Sequence, residues 1–238
     1  MTTFDNIFLS SLKMNGLDQF SEHSETFHKL FISLTETNKL YNLTAVTDET
    51  GVSNLHFCDS LFAVKYIESG AKVLDIGCGA GFPSMPIAIT RPDVTILAVD
   101  STAKKTEFSR KFAAENNLSN FTSLAARAEE LAKTDKRESF DLVTARAVAR
   151  LNVLAELALP FVKVGGYFLA MKGSAGEDEY KEAEKGIKEL GGKLENIEKR
   201  ELILPDGKQG RTLILIKKVR ETPEKYPRMY SKIVKKPL

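Results

Sequence analysis

The run Val73-Leu-Asp-Ile-Gly-Cys-Gly-Ala-Gly-Phe82 decides the fold. Val73, Leu74 and Ile76 make a short apolar stretch closed by turn formers, the pattern of a strand buried in a parallel sheet. Gly77, Gly79 and Gly81 follow at alternate positions, and each lacks a Cβ where the chain turns off the strand and a ligand comes close to the backbone. Met85 to Thr90 then reads as a helix. Ser84 is its expected N-cap, and Pro86 is tolerated because first-turn N–H groups have no intrahelical partner.

Spacing narrows what the loop holds. A dinucleotide fingerprint is G-x-G-x-x-G, with a helix N-terminus on the pyrophosphate. Here the third glycine comes one residue early, and Asp75 sits two residues before the first. A carboxylate there opposes a pyrophosphate and suits an ammonium or sulfonium group. The pattern D-x-G-x-G-x-G resembles motif I of the class I S-adenosylmethionine-dependent methyltransferases.

The totals fit an ordinary globular chain of 238 residues, with 34 basic and 32 acidic side chains and 42% hydrophobic residues. Two cysteines, Cys58 and Cys78, provide neither a disulfide framework nor a metal cluster, and no metal is expected. The start lacks a basic leader and no apolar run approaches a membrane span, so the expectation is a cytoplasmic, monomeric protein with no membrane partner. Charge is uneven. Residues 1–50 hold three basic and seven acidic groups, whereas residues 211–238 hold nine basic and two acidic. A basic end is either a phosphate-binding surface or a solvated tail.

Residues 1–69 read as a helical extension. Phe20, His23, Phe27, Leu30, Phe31 and Leu34 share one face at helical period, with Ser21 or Ser24 to begin the helix and an end near Asn38. A second helix is predicted over 52–67. From Ala71 the chain alternates strand and helix, with strands at 72–76, 94–99, 120–124, 140–145 and 166–171 and helices at 84–90, 102–117, 127–133 and 151–160. That alternation predicts βαβ units in a parallel sheet. After a charged helix at 177–190, Ile197–Leu204 and Thr212–Val219 flank Pro205 to Gly210, a hairpin expected to close the sheet antiparallel. The predicted class is α/β, Rossmann-like, and the whole resembles the mainly parallel seven-stranded methyltransferase sheet. Its parts are the N-terminal extension, a core over 70–220 and a basic, proline-containing tail over 221–238.

In that fold Asp100, at the end of the second strand, is placed to accept ribose hydroxyls or to cap the helix that follows. Arg127-Ala-Glu129 follows the third strand, where Glu129 or the backbone of Ala128 can meet an adenine edge; Glu129 equally suits a helix first turn. Phe82 offers an aromatic face to a cation, or is plain core. Asp75 either touches the cofactor or orients the loop.

Residues also bear on the methyl acceptor. The Asn/Asp-Pro-Pro-aromatic motif of amino-group methylation is absent, and neither cysteine has the Pro-Cys setting of carbon-5 pyrimidine chemistry. Guanine N7 is a lone-pair acceptor with no proton to remove. Its attack on a sulfonium methyl needs alignment, which contributes about 7–11 kcal/mol.

Several stretches occur in order: Asn42-Leu-Thr-Ala45, His56-x-x-Asp-Ser60, Asp75-Ile-Gly-x-Gly-Ala-Gly-Phe-Pro83, Arg127-Ala-Glu129, Arg137-Glu-Ser-Phe-Asp141, Ala145-Arg-Ala-Val-Ala149, Met171-Lys-Gly173 and Thr222-Pro-Glu-Lys-Tyr-Pro-Arg228. Together they resemble the bacterial small-subunit ribosomal RNA guanine-N7 methyltransferase family, also called glucose-inhibited division protein B. One departure is Ser84, where the family usually has glycine. The resemblance implies S-adenosylmethionine contacts at Gly77, Phe82, Asp100, Ala128, Glu129 and Arg146, with Asp75, Gly79 and Gly81 in the same loop. It also implies an acceptor guanine in 16S rRNA or the small subunit. Arg146 is placed for the methionine carboxylate, an RNA phosphate, or an ion pair with Asp141 or another acid. Lys172 is placed for guanine O6, a phosphate, or solvent. His56 and Asp59 share a helix face, and His56 either orients substrate or is structural. Arg211, Lys217, Lys218, Arg220, Lys225, Arg228, Lys232, Lys235 and Lys236 are the expected phosphate contacts. Removing residues 222–238 is therefore expected to weaken RNA binding and leave cofactor affinity intact.

Overall fold

In the computed structural model, which describes residues 2–238, the run that begins at Val73 opens as the first strand of the sheet in chain order, an interior one flanked on both sides. The strands are β1 (Lys72–Ile76), β2 (Thr95–Asp100), β3 (Phe121–Ala125), β4 (Phe140–Arg146), β5 (Val162–Gly173), β6 (Gly192–Leu204) and β7 (Gly207–Lys218). Their order in space is β3-β2-β1-β4-β5-β7-β6. The first five are parallel, and β7 enters antiparallel between β5 and β6. The chain moves outward from β1 to β3 and then returns to the far side of β1 as β4. That reversal opens a crevice at the carboxyl ends of β1 and β4, where open α/β sheets bind ligands.

Successive strand residues face opposite layers. Val73 joins one apolar core and Leu74 the other. The first core holds the N-terminal helices together with Ser84–Thr90 and Ala103–Glu115; the second holds Leu151–Ala158 and Gly176–Glu189. The extension therefore shares the hydrophobic core of the sheet. Phe4, Phe8, Phe27 and Phe57 are fully buried with their rings in contact, and Phe57 reaches Phe82 of the glycine loop at 6.0 Å between centroids.

Several elements differ from expectation. Thr3–Met14 forms a helix separate from Ser24–Asn38, begun by a reciprocal cap in which the Asp5 N–H donates to Thr2 Oγ1 (3.2 Å) and the Thr2 N–H to Asp5 Oδ2 (2.7 Å). The helix expected over 52–67 begins at Glu49 and ends at Leu61, with a 3₁₀ turn at Val64–Tyr66. Within it Val52–Cys58 is π-helical. The Asp59 N–H reaches back to Asn54 O, a widening that often accompanies functional side chains. The hairpin turns earlier than Pro205–Gly210 suggests: Leu204 pairs with Gly207, so Pro205 and Asp206 alone make the bend.

The C-terminal segment is not a solvated tail. Thr222, Tyr226 and Ile233 are buried, and a helix runs over Tyr230–Lys235. Three expected phosphate contacts are committed to the fold. Lys218 is fully buried, donating to Glu138 and to the carbonyls of Leu159 and Val162. Arg220 donates to the carbonyls of Lys188 and Glu189, and Arg228 pairs with the buried Glu156. Lys225 pairs with Glu189 at the surface. Among the described residues no helix is long and apolar enough to cross a membrane.

Candidate functional site

The turn after β1 begins with the Gly77 N–H donating to Val99 O at 2.7 Å, which bends the chain over the end of β2. Gly77 has φ of +66°, and a Cβ there would stand 2.5 Å from Val148 Cγ2, so neither the backbone nor the space admits a side chain. Gly79 has φ of +56° and lines a cavity of about 500 Å³; a Cβ there meets nothing within 4 Å and would project into space a ligand can use.

Asp75 lies under this loop, wholly buried and outside the cavity lining. It accepts the Ser84 N–H at 3.1 Å and the Thr144 hydroxyl at 3.3 Å. The helix Ser84–Thr90 is thus capped from below by Asp75, with Pro83 at the N-cap position, which corrects the assignment of Ser84. Burial pushes the Asp75 carboxyl up to about 7, against the lowering effect of the Ser84 N–H it accepts. Asp75 shapes the loop from beneath, whereas Gly81 packs inward near Ser109 and Met85, and it too lies outside the lining.

Asp100, at the end of β2, lines the cavity. Its Oδ2 accepts the Gly79 N–H (3.0 Å) and its Oδ1 the Thr102 N–H (2.8 Å), so it orders the loop and the next helix entry together. Each carboxylate oxygen keeps a second lone pair, enough for two ribose hydroxyls. Ala128 and the buried Glu129 line the neighbouring wall beyond β3.

The opposite end is organised by Arg146, at the exit of β4. Ala147 behind it is left-handed (φ 56°), a strained conformation for a residue with a Cβ, and both line the cavity. Arg146 pairs with Asp59 (3.0 Å), not with Asp141, which instead pairs with Lys163. It also donates to Leu55 O (2.6 Å) and approaches His56 Nδ1 (3.4 Å). Asp59 accepts from Arg211 Nε (2.8 Å) on its other oxygen. Leu55 O lies within the widened helical stretch and Asp59 directly follows it, and both accept from Arg146 of β4.

His56 stacks on Phe82 with centroids 4.6 Å apart and 13° between planes, and its Nε2 meets Thr44 Oγ1 at 2.8 Å. Burial, and secondarily the Arg146 charge, depress its pKa to about 4, so the ring is neutral near pH 7. Phe82 is therefore not an open face. His56 covers it, and its nearby cation is Arg146, 5.7 Å from the centroid. Among the described residues no cluster suits a metal ion.

The cavity thus brings together Gly77, Gly79, Phe82, Asp100, Ala128, Glu129, Arg146 and His56. Lys172 and Arg211 line a separate cavity with Asp59 and Glu179 that adjoins it at Arg146. Lys172 is not solvated: it pairs with Glu179 at 2.8 Å and donates to Ala149 O. Sequence reasoning missed Ala147, Val148, Leu157 and Tyr230 as lining residues. Tyr230 is distant in sequence and sits in a segment read as a basic, proline-containing tail. The residues present fit an adenosyl ligand: a carboxylate for the ribose, a glycine-walled opening, and a guanidinium with unused N–H donors at the far end.

The GidB family model, described as rRNA small subunit methyltransferase G, matches residues 23–203. The ribosomal RNA small subunit methyltransferase G of Lachnoclostridium phytofermentans is 44% identical over 237 residues, covering 98% of this chain and 97% of that protein. The protein of the same name from Desulforamulus reducens is 45% identical over 215 residues, with 89% of each covered. Among solved structures, geranyl diphosphate C-methyltransferase from Streptomyces coelicolor A3(2), in complex with Mg²⁺, geranyl diphosphate and S-adenosyl-L-homocysteine, superposes with a TM-score of 0.52 at 15% identity. That match covers 67% of this chain and 78% of the other, a likeness of fold. With a family model over most of its length and relatives matched nearly end to end, the chain belongs to the rRNA small subunit methyltransferase G family.

Proposed function

We propose that the chain transfers a methyl group from S-adenosylmethionine to N7 of a guanine in 16S rRNA. The observation that carries this reading is one cavity at the sheet's reversal point with Asp100 at one end and Arg146 at the other, joined by the glycine loop. When bound, the cofactor supplies an electrophilic methyl on a sulfonium, released as S-adenosylhomocysteine. A guanine N7 would present its lone pair with no proton to remove, so no side chain of this chain would have to act as a base.

The chain's own part is then placement. Asp100 holds ribose hydroxyls, Glu129 and the Ala128 backbone meet the adenine, and Arg146 holds the carboxylate of the methionine arm. Asp75 fixes the loop from below. His56 needs no basic role, because Thr44 and Arg146 engage both ring nitrogens and an N7 acceptor demands no base. Its place is to hold Phe82 and Arg146 in register.

RNA contacts fall to Lys232, Lys235 and Lys236, which carry no ion pair among the described residues, with Arg127, on the lining of the same cavity as Tyr230, as a further candidate. Lys217 lies over Tyr167 of β5, away from that cavity. Arg211 is paired with Asp59 and reaches RNA only through the second cavity. The acceptor guanine must be splayed from its neighbours, since an A-form major groove is too narrow to read. The test is transfer of labelled methyl to 16S rRNA or the small subunit, with mapping of the modified base. Label at guanine N7 is expected. Label on a pyrimidine, or only on small metabolites, overturns the assignment.

A further inference from the structure

The C-terminal segment is tied to the core at successive points. The Arg137 guanidinium donates to the carbonyls of Thr222 (2.7 Å) and Tyr226 (2.9 Å). The Thr222 N–H donates to Glu138 (2.7 Å), and its hydroxyl to Leu190 O (2.7 Å). Two residues after the Tyr226 ring is buried, the Arg228 N–H and Nε both donate to Glu156 Oε1, at 2.8 and 2.9 Å. Three residues beyond Tyr230, Ile233 is wholly buried against Val153 and Leu157.

Tyr230 sits between the last two anchors. It lines the same cavity as Asp100, Ala128 and Glu129, and so does Leu157, on which Ile233 rests. The residue is 40% exposed, and its hydroxyl has no hydrogen bond among the described residues. An aromatic side chain fixed on both sides yet open toward a cavity is a ready face for a flat ring.

We propose that Tyr230 is a cofactor-binding residue whose ring packs on the adenine, so that the C-terminal segment completes the adenosyl site. The inference rests on the adenosyl reading above. It reverses the expectation that residues 222–238 leave cofactor affinity untouched, and it places the lysines that meet RNA on the same short helix that walls the cofactor.

The experiment is calorimetry with S-adenosylhomocysteine, and with 5′-methylthioadenosine, which lacks the amino-acid arm. Parent, Tyr230→Phe and Tyr230→Ala are compared, with thermal melts to confirm folding. Loss of the ring is expected to weaken both ligands by about tenfold, the scale of aromatic–base stacking, while Tyr230→Phe stays within about twofold of parent. Parent-like affinity in Tyr230→Ala, or a loss confined to S-adenosylhomocysteine, overturns the placement on adenine. Absence of binding to the parent instead overturns the adenosyl reading itself. A chain with Arg228→Ala, which loosens the anchor and keeps the ring, is expected to lie between parent and Tyr230→Ala; parent-like affinity there shows that the anchors do not position Tyr230 and overturns the role given to the segment.

Discussion

The N-terminal layer and the C-terminal segment are both additions to the same sheet, and they are held on by different forces. The layer joins through apolar burial: Phe4, Phe8, Phe27, Leu30, Leu34 and Phe57 run into the core beneath the glycine loop. The segment joins through polar anchors, chiefly Arg137 to backbone carbonyls, Arg228 to Glu156 and Thr222 to Glu138, with Tyr226 and Ile233 as its buried apolar side chains. Each delivers side chains to the same cavity, His56 and Thr44 from one and Tyr230 from the other. A pocket wall can thus be held by oil or by hydrogen bonds, and the two should fail differently.

The largest effect is expected in the layer. Phe57→Ala removes a ring in contact with four others and should cost about 3–5 kcal/mol in denaturant unfolding. It should also weaken S-adenosylhomocysteine, because Phe82 loses support. A cost below about 1 kcal/mol would mean that the layer is not part of the main core.

Acid should separate the regions next. The His56 pKa is depressed, so the unfolded chain binds the proton more readily than the folded one. The stability it contributes is complete above its unfolded pKa and is lost as pH falls from about 6.5 toward about 4. The raised pKa of Asp75 works the other way, its burial cost growing as pH rises from about 4 to about 7. Comparing parent with His56→Gln in the same buffers cancels the Asp75 contribution. The parent-minus-variant stability should fall by at most about 3 kcal/mol across that window. A difference that is flat with pH would place His56 in water.

Arg228→Ala is the segment's counterpart to Phe57→Ala. It strands the Glu156 carboxylate, which is wholly buried, and should cost about 2–3 kcal/mol by thermal or denaturant unfolding, less than a fully buried pair because Arg228 is partly exposed. Smallest of all should be the effect of Lys235→Ala with Lys236→Ala. Stability should change by less than about 0.5 kcal/mol, while the slope of log affinity for RNA against log salt should shrink by about 2. An unchanged slope would remove these lysines from the RNA surface.

The same contrast explains what could be read from the sequence. Apolar period is written in residue order, so the β1 run, the five parallel strands and the buried face from Phe27 to Leu34 were legible. The Thr3–Met14 helix left a signal too, since Phe4, Phe8 and Leu12 recur every four residues behind a Thr2–Asp5 cap, though it was not singled out. Polar anchors have no period. Arg228 and Lys218 look like a basic tail until Glu156 and Glu138, far away in the chain, come beside them. For the site, Asp100, Gly77, Gly79, Ala128 and Glu129 were placed by their distance from a strand end. The choice between the two roles open to Asp75, and the cap assigned to Ser84, could not be decided there, because which member of a loop faces the ligand and which faces the core depends on how the turn is wound. The π-helical widening at Val52–Cys58 has no evident sequence mark, and Tyr230 was hidden by the charge around it.

The proposed methyl transfer requires the Asp100 carboxylate, at the end of β2, to take the ribose of an adenosyl ligand. Calorimetry of S-adenosylhomocysteine with parent and Asp100→Ala, both shown folded by thermal melts, tests it directly. The parent should bind at one saturable site, and Asp100→Ala should bind at least about tenfold more weakly, since two hydrogen bonds to a charged group and the order of the glycine loop are lost together. Equal affinity in the two proteins, or no binding to the parent, would contradict it.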